Sequence, residues 1–166
     1  SIPPAGKGIL AWPLNEIFIT QKFGKTVDSK RLYTSGTHNG VDFRAAVGTP
    51  VKATLDGTIT ATGDTDKACP NASYGKWVLI KHSNGLSTLY GHLSLISVSA
   101  GETVKTGQMI GYSGKTGYST GPHLHLTVYA TQGMKVAEYN FKSCSGARIS
   151  MPVADPGAYL DPLIYL

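Results

Sequence analysis

Lys76-Trp-Val-Leu-Ile-Lys-His-Ser-Asn-Gly-Leu-Ser-Thr-Leu-Tyr90 sets two runs of aliphatic, β-branched and aromatic residues on either side of Ser83-Asn84-Gly85. Such runs flanking a glycine-bearing turn form an antiparallel hairpin. Short segments of the same kind surround it. Residues 16–23 alternate partially and end at Gly24, a first strand, and residues 25–37 are polar and aperiodic, a loop. Residues 41–43 and 50–53 are short strands; Asp56-Gly57 is a hairpin signal after which the chain returns over 58–62. Residues 63–75, with Cys69 and Pro70, form a loop; 101–117 carry glycine every few residues, which predicts further hairpins; 124–130 are a strand by composition. No stretch of ten or more residues shows a 3.6-residue period. The prediction is an all-β fold, mainly antiparallel sheet with short or no helices. Residues 1–166 form a single domain, with 1–13 an extended N-terminal arm and 131–166 an irregular, Pro-rich C-terminal extension.

Composition agrees. The chain has 20 glycines, against about 12 expected at an average usage near 7%, which favours a turn-rich β protein. Its net charge of +5 suits a polyanion such as an anionic cell wall, but no Lys/Arg run is interleaved with aromatics, which argues against nucleic acid. No apolar stretch reaches the roughly 18 residues of a membrane span. The chain opens Ser-Ile-Pro-Pro, with neither Met nor a basic-then-apolar leader, and so reads as a mature or excised fragment. Cys69 and Cys144 lie in polar, irregular segments, outside any Cys-x-x-Cys pair. A bond between them would close a loop of roughly 75 residues, worth about 4 kcal/mol, and would imply an oxidising compartment.

Four of the five histidines and one aspartate fall in three short segments: His38-Asn-Gly-Val-Asp42, Tyr90-Gly-His92 and His123-Leu-His125. A hydrolytic zinc site takes about three N or O ligands and keeps one position open. Five such groups supply three ligands and leave two imidazoles for acid/base chemistry. His123 and His125 share a face if they lie on a strand. His38 and Asp42 would share a helix face, but Asn39-Gly40 disfavours helix, so a turn or bulge must bring them together. Each motif alone also fits surface or turn histidines. His82, next to the Ser-Asn-Gly turn, reads as a structural histidine, at most behind a ligand.

At these residues the sequence resembles the lysostaphin/LytM-type zinc metalloendopeptidases of family M23, which cut peptide bonds in bacterial peptidoglycan. The likeness runs from Trp12-Pro-Leu14 to Leu160-Asp-Pro162. It is carried by Thr37-His-Asn-Gly-Val-Asp-Phe43, Gly48-Thr-Pro-Val-Lys-Ala53, Tyr74-Gly-Lys-Trp-Val-Leu-Ile-Lys-His82, Thr88-Leu-Tyr-Gly-His-Leu-Ser94, Val104-Lys-Thr-Gly-Gln-Met-Ile-Gly111 and Gly121-Pro-His-Leu-His-Leu126. The resemblance implies one zinc ion (Zn2+) on His38, Asp42 and His125, with His92 and His123 flanking the catalytic water and the scissile carbonyl. One of those two takes the water proton; the other holds the oxyanion or protonates the departing amine. It also implies peptidoglycan peptides as substrate, an extracytoplasmic location (periplasm, cell wall or secreted), and a missing N-terminal region or an activator protein as possible partners. Tyr33 is a candidate for the tyrosine that family members often place upstream of the first ligand. The segments around Cys69 and Cys144 look longer than the family core, which strengthens their pairing. Which peptidoglycan bond is cut lies in the groove loops.

The competing reading is a non-catalytic or autoinhibited cell-wall-binding or activator module of the same fold. The segment 104–111 also resembles the hammerhead hairpins of lipoyl- and biotinyl-type carriers. Nothing beyond Lys105 supports a carrier, and the His/Asp set would then have no role.

Overall fold

In the computed structural model, which describes residues 1–33 and 35–166, the hairpin at 76–90 is the centre of a ten-stranded antiparallel sheet. The elements in chain order are β1 (Ile19–Gln21), α1 (Val27–Leu32), β2 (Val41–Arg44), β3 (Pro50–Lys52), β4 (Gly57–Asp64), β5 (Lys76–Lys81), β6 (Leu86–Ile96), β7 (Thr103–Val104), β8 (Met109–Ser113), β9 (His123–Ala130), β10 (Met134–Phe141), β11 (Ala147–Ala154) and β12 (Tyr159–Leu160). The main sheet runs β1-β2-β9-β6-β5-β4-β7; β12 lies beside β9, and β8 bridges β3 and β6.

Alternation along the central strands separates two apolar clusters. Val78 and Ile80 of β5, Tyr90 of β6, Val41 and Phe43 of β2, and Leu124, Leu126 and Val128 of β9 fill the main core. Residues one position out of step, Trp77, Leu79, Leu89 and Tyr129, build a second cluster on the opposite face with Tyr74, Phe141 and Met151. Burial on both faces explains why β5 reads as a continuous apolar run. Asp42, His123 and His125 have the parity of the second face, so the sheet gathers them on the side away from the main core.

Four details depart from the sequence reading. Asp56-Gly57 does not close a hairpin: β3 pairs with β8, and β4 with β5 and β7. A Cβ on Gly57 would sit 2.5 Å from the Lys81 carbonyl oxygen, so this glycine permits close strand approach rather than a turn. Likewise β7 and β8, within 101–117, pair with distant strands and not with each other. The loop at 25–37 contains α1, nucleated where Thr26 and Ser29 each bond the other's backbone N–H.

The fourth departure is the C-terminal extension, which is not irregular. β10 and β11 form a separate hairpin paired over eight residues, from Met134↔Ala154 to Phe141↔Ala147. Pro152 is tolerated because this ribbon has only two strands. Cys69 and Cys144 are disulfide-bonded, Cα–Cα 5.7 Å, tying this hairpin to the loop before β5. Among the described residues, no helix is long and apolar enough to cross a membrane.

Candidate metal centre and active site

Strand pairing assembles the cluster. In β2 and β9, Asp42 lies directly opposite His125 and Arg44 opposite His123. On the other side of β9, Gly91 of β6 is opposite His125. His38 is held just before β2 by an isolated bridge to Gly24. The three side chains His38, Asp42 and His125 are all buried, and their ligand atoms lie within 4.8 Å of one another. His38 Nε2 is 3.3 Å and His125 Nδ1 2.9 Å from the same oxygen, Asp42 Oδ1.

The outer nitrogen of each imidazole has a partner that orients the ring. His38 Nδ1 is 3.1 Å from the Lys22 carbonyl, to which it donates. His92 Nδ1 donates to the Thr116 carbonyl at 2.7 Å, and His123 Nδ1 to the Gly121 carbonyl at 2.8 Å. His125 Nε2 is 2.7 Å from the Thr127 hydroxyl, whose oxygen in turn lies 3.5 Å from Asn39 Oδ1, an acceptor. That direction makes Thr127 the acceptor from His125 Nε2–H. These bonds leave His38 Nε2 and His125 Nδ1 as lone pairs facing a carboxylate oxygen. His38 Nε2 accordingly has no hydrogen-bond partner although it is fully buried. Three electron-rich atoms converging in a buried space fit a divalent cation, and the orienting bonds behind the rings are those that metal-ligating histidines make.

Electrostatics point the same way. Burial pushes the Asp42 carboxyl up, but the His125 and His38 rings packed against it outweigh burial and hold it well below the usual carboxylate range. Burial lowers His125 against the pull of Asp42, so the imidazole is neutral near pH 7. His92 is pushed down to about 3, first by burial and then by His125 and His123.

His92 reaches the site through a bulge. Between the pairs Lys76↔Leu93 and Val78↔Tyr90, Gly91 and His92 oppose the single residue Trp77. His92 has φ +59°, in the left-handed region, while its N–H bonds the Tyr74 carbonyl at 2.7 Å. In a regular strand it would share the core-facing parity of Tyr90; the bulge turns it toward the site. Its ring lies 4.6 Å from that of His123 and 5.8 Å from that of His125, centroid to centroid. His123 Nε2 is 3.7 Å from Asp42 Oδ2.

The sequence-predicted residues His38, Asp42, His92, His123 and His125 are therefore all in one place. His82 is elsewhere, bonded to the Asp56 carbonyl and the Thr88 hydroxyl at 2.8 Å each. Tyr33 stacks on His38 at 5.4 Å, and its hydroxyl is raised by burial, then by the Asp42 charge. Thr127, Asn39 and Tyr74, whose hydroxyl accepts from Asn39 Nδ2 at 2.9 Å, support His125 from behind. Sequence reasoning missed them; the usable signal was Thr127, two residues after His125 and so on the same strand face.

The family model for peptidase family M23 matches residues 36–138, a span that holds all five site residues. The chain belongs to peptidase family M23. Among its relatives is the peptidoglycan DD-endopeptidase ShyA of Vibrio cholerae, 47% identical over 88 residues, which are 53% of this chain and 19% of that protein. The catalytic domain of the antimicrobial peptidase lysostaphin from Staphylococcus simulans superposes with a TM-score of 0.66 at 30% identity, covering 90% of this chain and 91% of that one. A zinc-containing peptidase from Vibrio cholerae gives 0.62 at 28% identity over 89% of this chain and 39% of that chain. The M23 chain spans between 19% and 29% of the length of curated relatives it matches.

Proposed function

We propose that this chain is a zinc-dependent endopeptidase that hydrolyses peptide bonds in bacterial peptidoglycan, in the cross-bridge or the stem peptide. The observation that carries the reading is the buried convergence of His38 Nε2, Asp42 Oδ1 and His125 Nδ1, with two further oriented imidazoles beside it. His38, Asp42 and His125 are the ligands of one zinc ion. When bound there, zinc acts as a Lewis acid toward the scissile carbonyl and brings the pKa of a water toward about 7. His92 and His123 do the proton work. Each donates Nδ1–H to a backbone carbonyl and so turns Nε2 toward the site. His92, whose Nδ1–H is held by the Thr116 carbonyl and whose ring lies beside that of His123, is placed to accept a proton from the attacking water. His123 is less buried, with Nε2 3.7 Å from Asp42 Oδ2 at the edge of the metal centre, a position from which it can deliver a proton to the departing amine or hold the oxyanion.

The family, and relatives named for peptidoglycan, support the substrate class. The disulfide supports an extracytoplasmic location, in periplasm, cell wall or medium. Residues 1–166 act as one domain, for the arm at 1–13 bonds to the C-terminal segment through Gly6 N–H to the Ile164 carbonyl and Leu10 N–H to the Tyr165 carbonyl.

The test is digestion of purified sacculi of several cross-link types by zinc-loaded and chelator-treated protein, with mass spectrometry of the fragments. New peptide termini that depend on zinc are expected. Asp42→Ala should lose zinc, while His92→Ala should keep zinc and lose turnover. Bound zinc with no cleavage of any sacculus would move the assignment to an autoinhibited or activator module, and a fully active His92→Ala would remove the role given to it.

A further inference from the structure

The groove that opens onto His38, His92 and His125 encloses about 990 Å3 and extends well past them. One side is formed by Tyr33 and Tyr118; the other by Tyr139 and Phe141 of β10 and by Met151 and Pro152 of β11. The family match stops at residue 138, inside β10, so most of this second wall lies beyond the matched core. The wall is built firmly. Phe141 and Met151 are buried in the cluster that also holds Tyr74, under the metal centre. Ser73 Oγ contacts Met151 Sδ at 3.8 Å, and the Cys69–Cys144 bond anchors the end of the hairpin. Tyr139 remains 44% exposed, edge-on to Phe141 at 5.0 Å.

The lining has a second property. The chain carries 15 Lys and Arg and 10 Asp and Glu, yet none of these lines the groove among the described residues. A charged substrate side chain set against this wall would lose water and meet no counter-ion. A neutral peptide segment would meet aromatic faces.

We propose that the β10–β11 wall is a substrate subsite that takes an uncharged segment of the peptide next to the scissile bond and selects against charge at that position. The proposal rests on the endopeptidase reading. It assigns Tyr139 as a specificity residue and leaves the chemistry to the histidines.

The experiment uses the zinc-loaded chain and a neutral pentapeptide of Gly and Ala, capped at both ends, together with versions carrying Glu or Lys at each position in turn. Cleavage and calorimetric binding are both measured, for wild type and for Tyr139→Arg, an exposed position where a charged side chain can be solvated. In wild type, Glu and Lys should both lower kcat/KM and weaken binding by about tenfold or more at a contiguous set of positions, and be tolerated elsewhere. Tyr139→Arg should restore the Glu peptides several-fold and leave the Lys peptides poor. Charge tolerated at every position, equal responses of Glu and Lys to Tyr139→Arg, or no binding by any peptide would each overturn the proposal. If peptides bind in this order and neither they nor any sacculus is cut, the binding subsite stands and the endopeptidase reading fails.

Discussion

Gly40 sits between His38 and Asp42 with no room for a side chain. A Cβ there would lie 2.2 Å from the Leu126 carbonyl oxygen and 2.9 Å from both Cε1 and Nε2 of His125. Ordinary contact begins at 3.4 Å, so the shortfall against Leu126 is about 1.2 Å, and the obstacle is backbone in β9, which cannot rotate away. Gly40→Ala must therefore push β2 and β9 apart where Val41 pairs with Leu126 and Asp42 with His125. Overpacking of this kind costs roughly 1–3 kcal/mol, equivalent to a fall in Tm of roughly 3–10 °C for a chain of this size. Metal binding should suffer more than stability, because the same displacement moves His125 relative to Asp42; a loss of about 10–100-fold in affinity is expected, as for disrupted support of a metal ligand. Gly157→Ala is the matched control: a Cβ there meets nothing within 4 Å and φ is not left-handed, so it should be neutral or slightly stabilising. Calorimetric melting with and without zinc, and zinc titration against a competing chelator, give the two quantities. Gly40→Ala with a Tm within 1 °C of wild type and about the wild-type zinc affinity would show that the strand spacing does not hold the ligands in register.

Two further outcomes follow from the same geometry. Thr127→Val keeps the shape of a residue that is fully buried but removes the oxygen 2.7 Å from His125 Nε2; zinc affinity should drop about 10–100-fold in chelator competition, and an unchanged affinity would sink the orienting role of the hydroxyl. His82 is pushed below its ordinary 6.5 by burial, with the Asp56 carbonyl and charge opposing. A lowered pKa means that the folded chain takes the proton later than the unfolded chain, so the contribution of His82 is full above pH 6.5 and declines as pH falls below it. Denaturant unfolding of zinc-free protein at pH 7.5 and 5.5 should therefore show a smaller loss of stability on acidification for His82→Gln than for wild type; equal losses would refute the assignment.

The central hairpin was legible because β5 and β6 are apolar runs around a local turn, and local pairing needs no knowledge of the rest of the chain. Pairing between distant segments was not. Gly57 looks like turn chemistry in sequence, and only its closeness to the Lys81 carbonyl shows the other use of a missing Cβ. The β10–β11 hairpin hid for a different reason: one face meets the groove and the other solvent, so only Phe141, Met151 and Pro152 are buried and no clean apolar alternation marks it. The five histidine and aspartate positions of the site could be picked out by residue type and spacing. Of their support only Thr127 carried a local signal, its spacing from His125; Asn39 acquires its function only once β2 and β9 lie side by side. The aim of His92 depended on a bulge, where one extra residue reverses the parity that strand periodicity would assign.

The left-handed backbone at His92 sets chemistry and folding against each other. Glycine would occupy that conformation without strain and asparagine with little, whereas an imidazole there is tolerated at a cost of order 1 kcal/mol. Drift at this codon toward Gly would thus relieve the backbone but give up the bond to the Thr116 carbonyl and the base itself. A copy released from selection for cleavage would be free to shed this strained imidazole, losing its base while His38, Asp42 and His125 stayed in place.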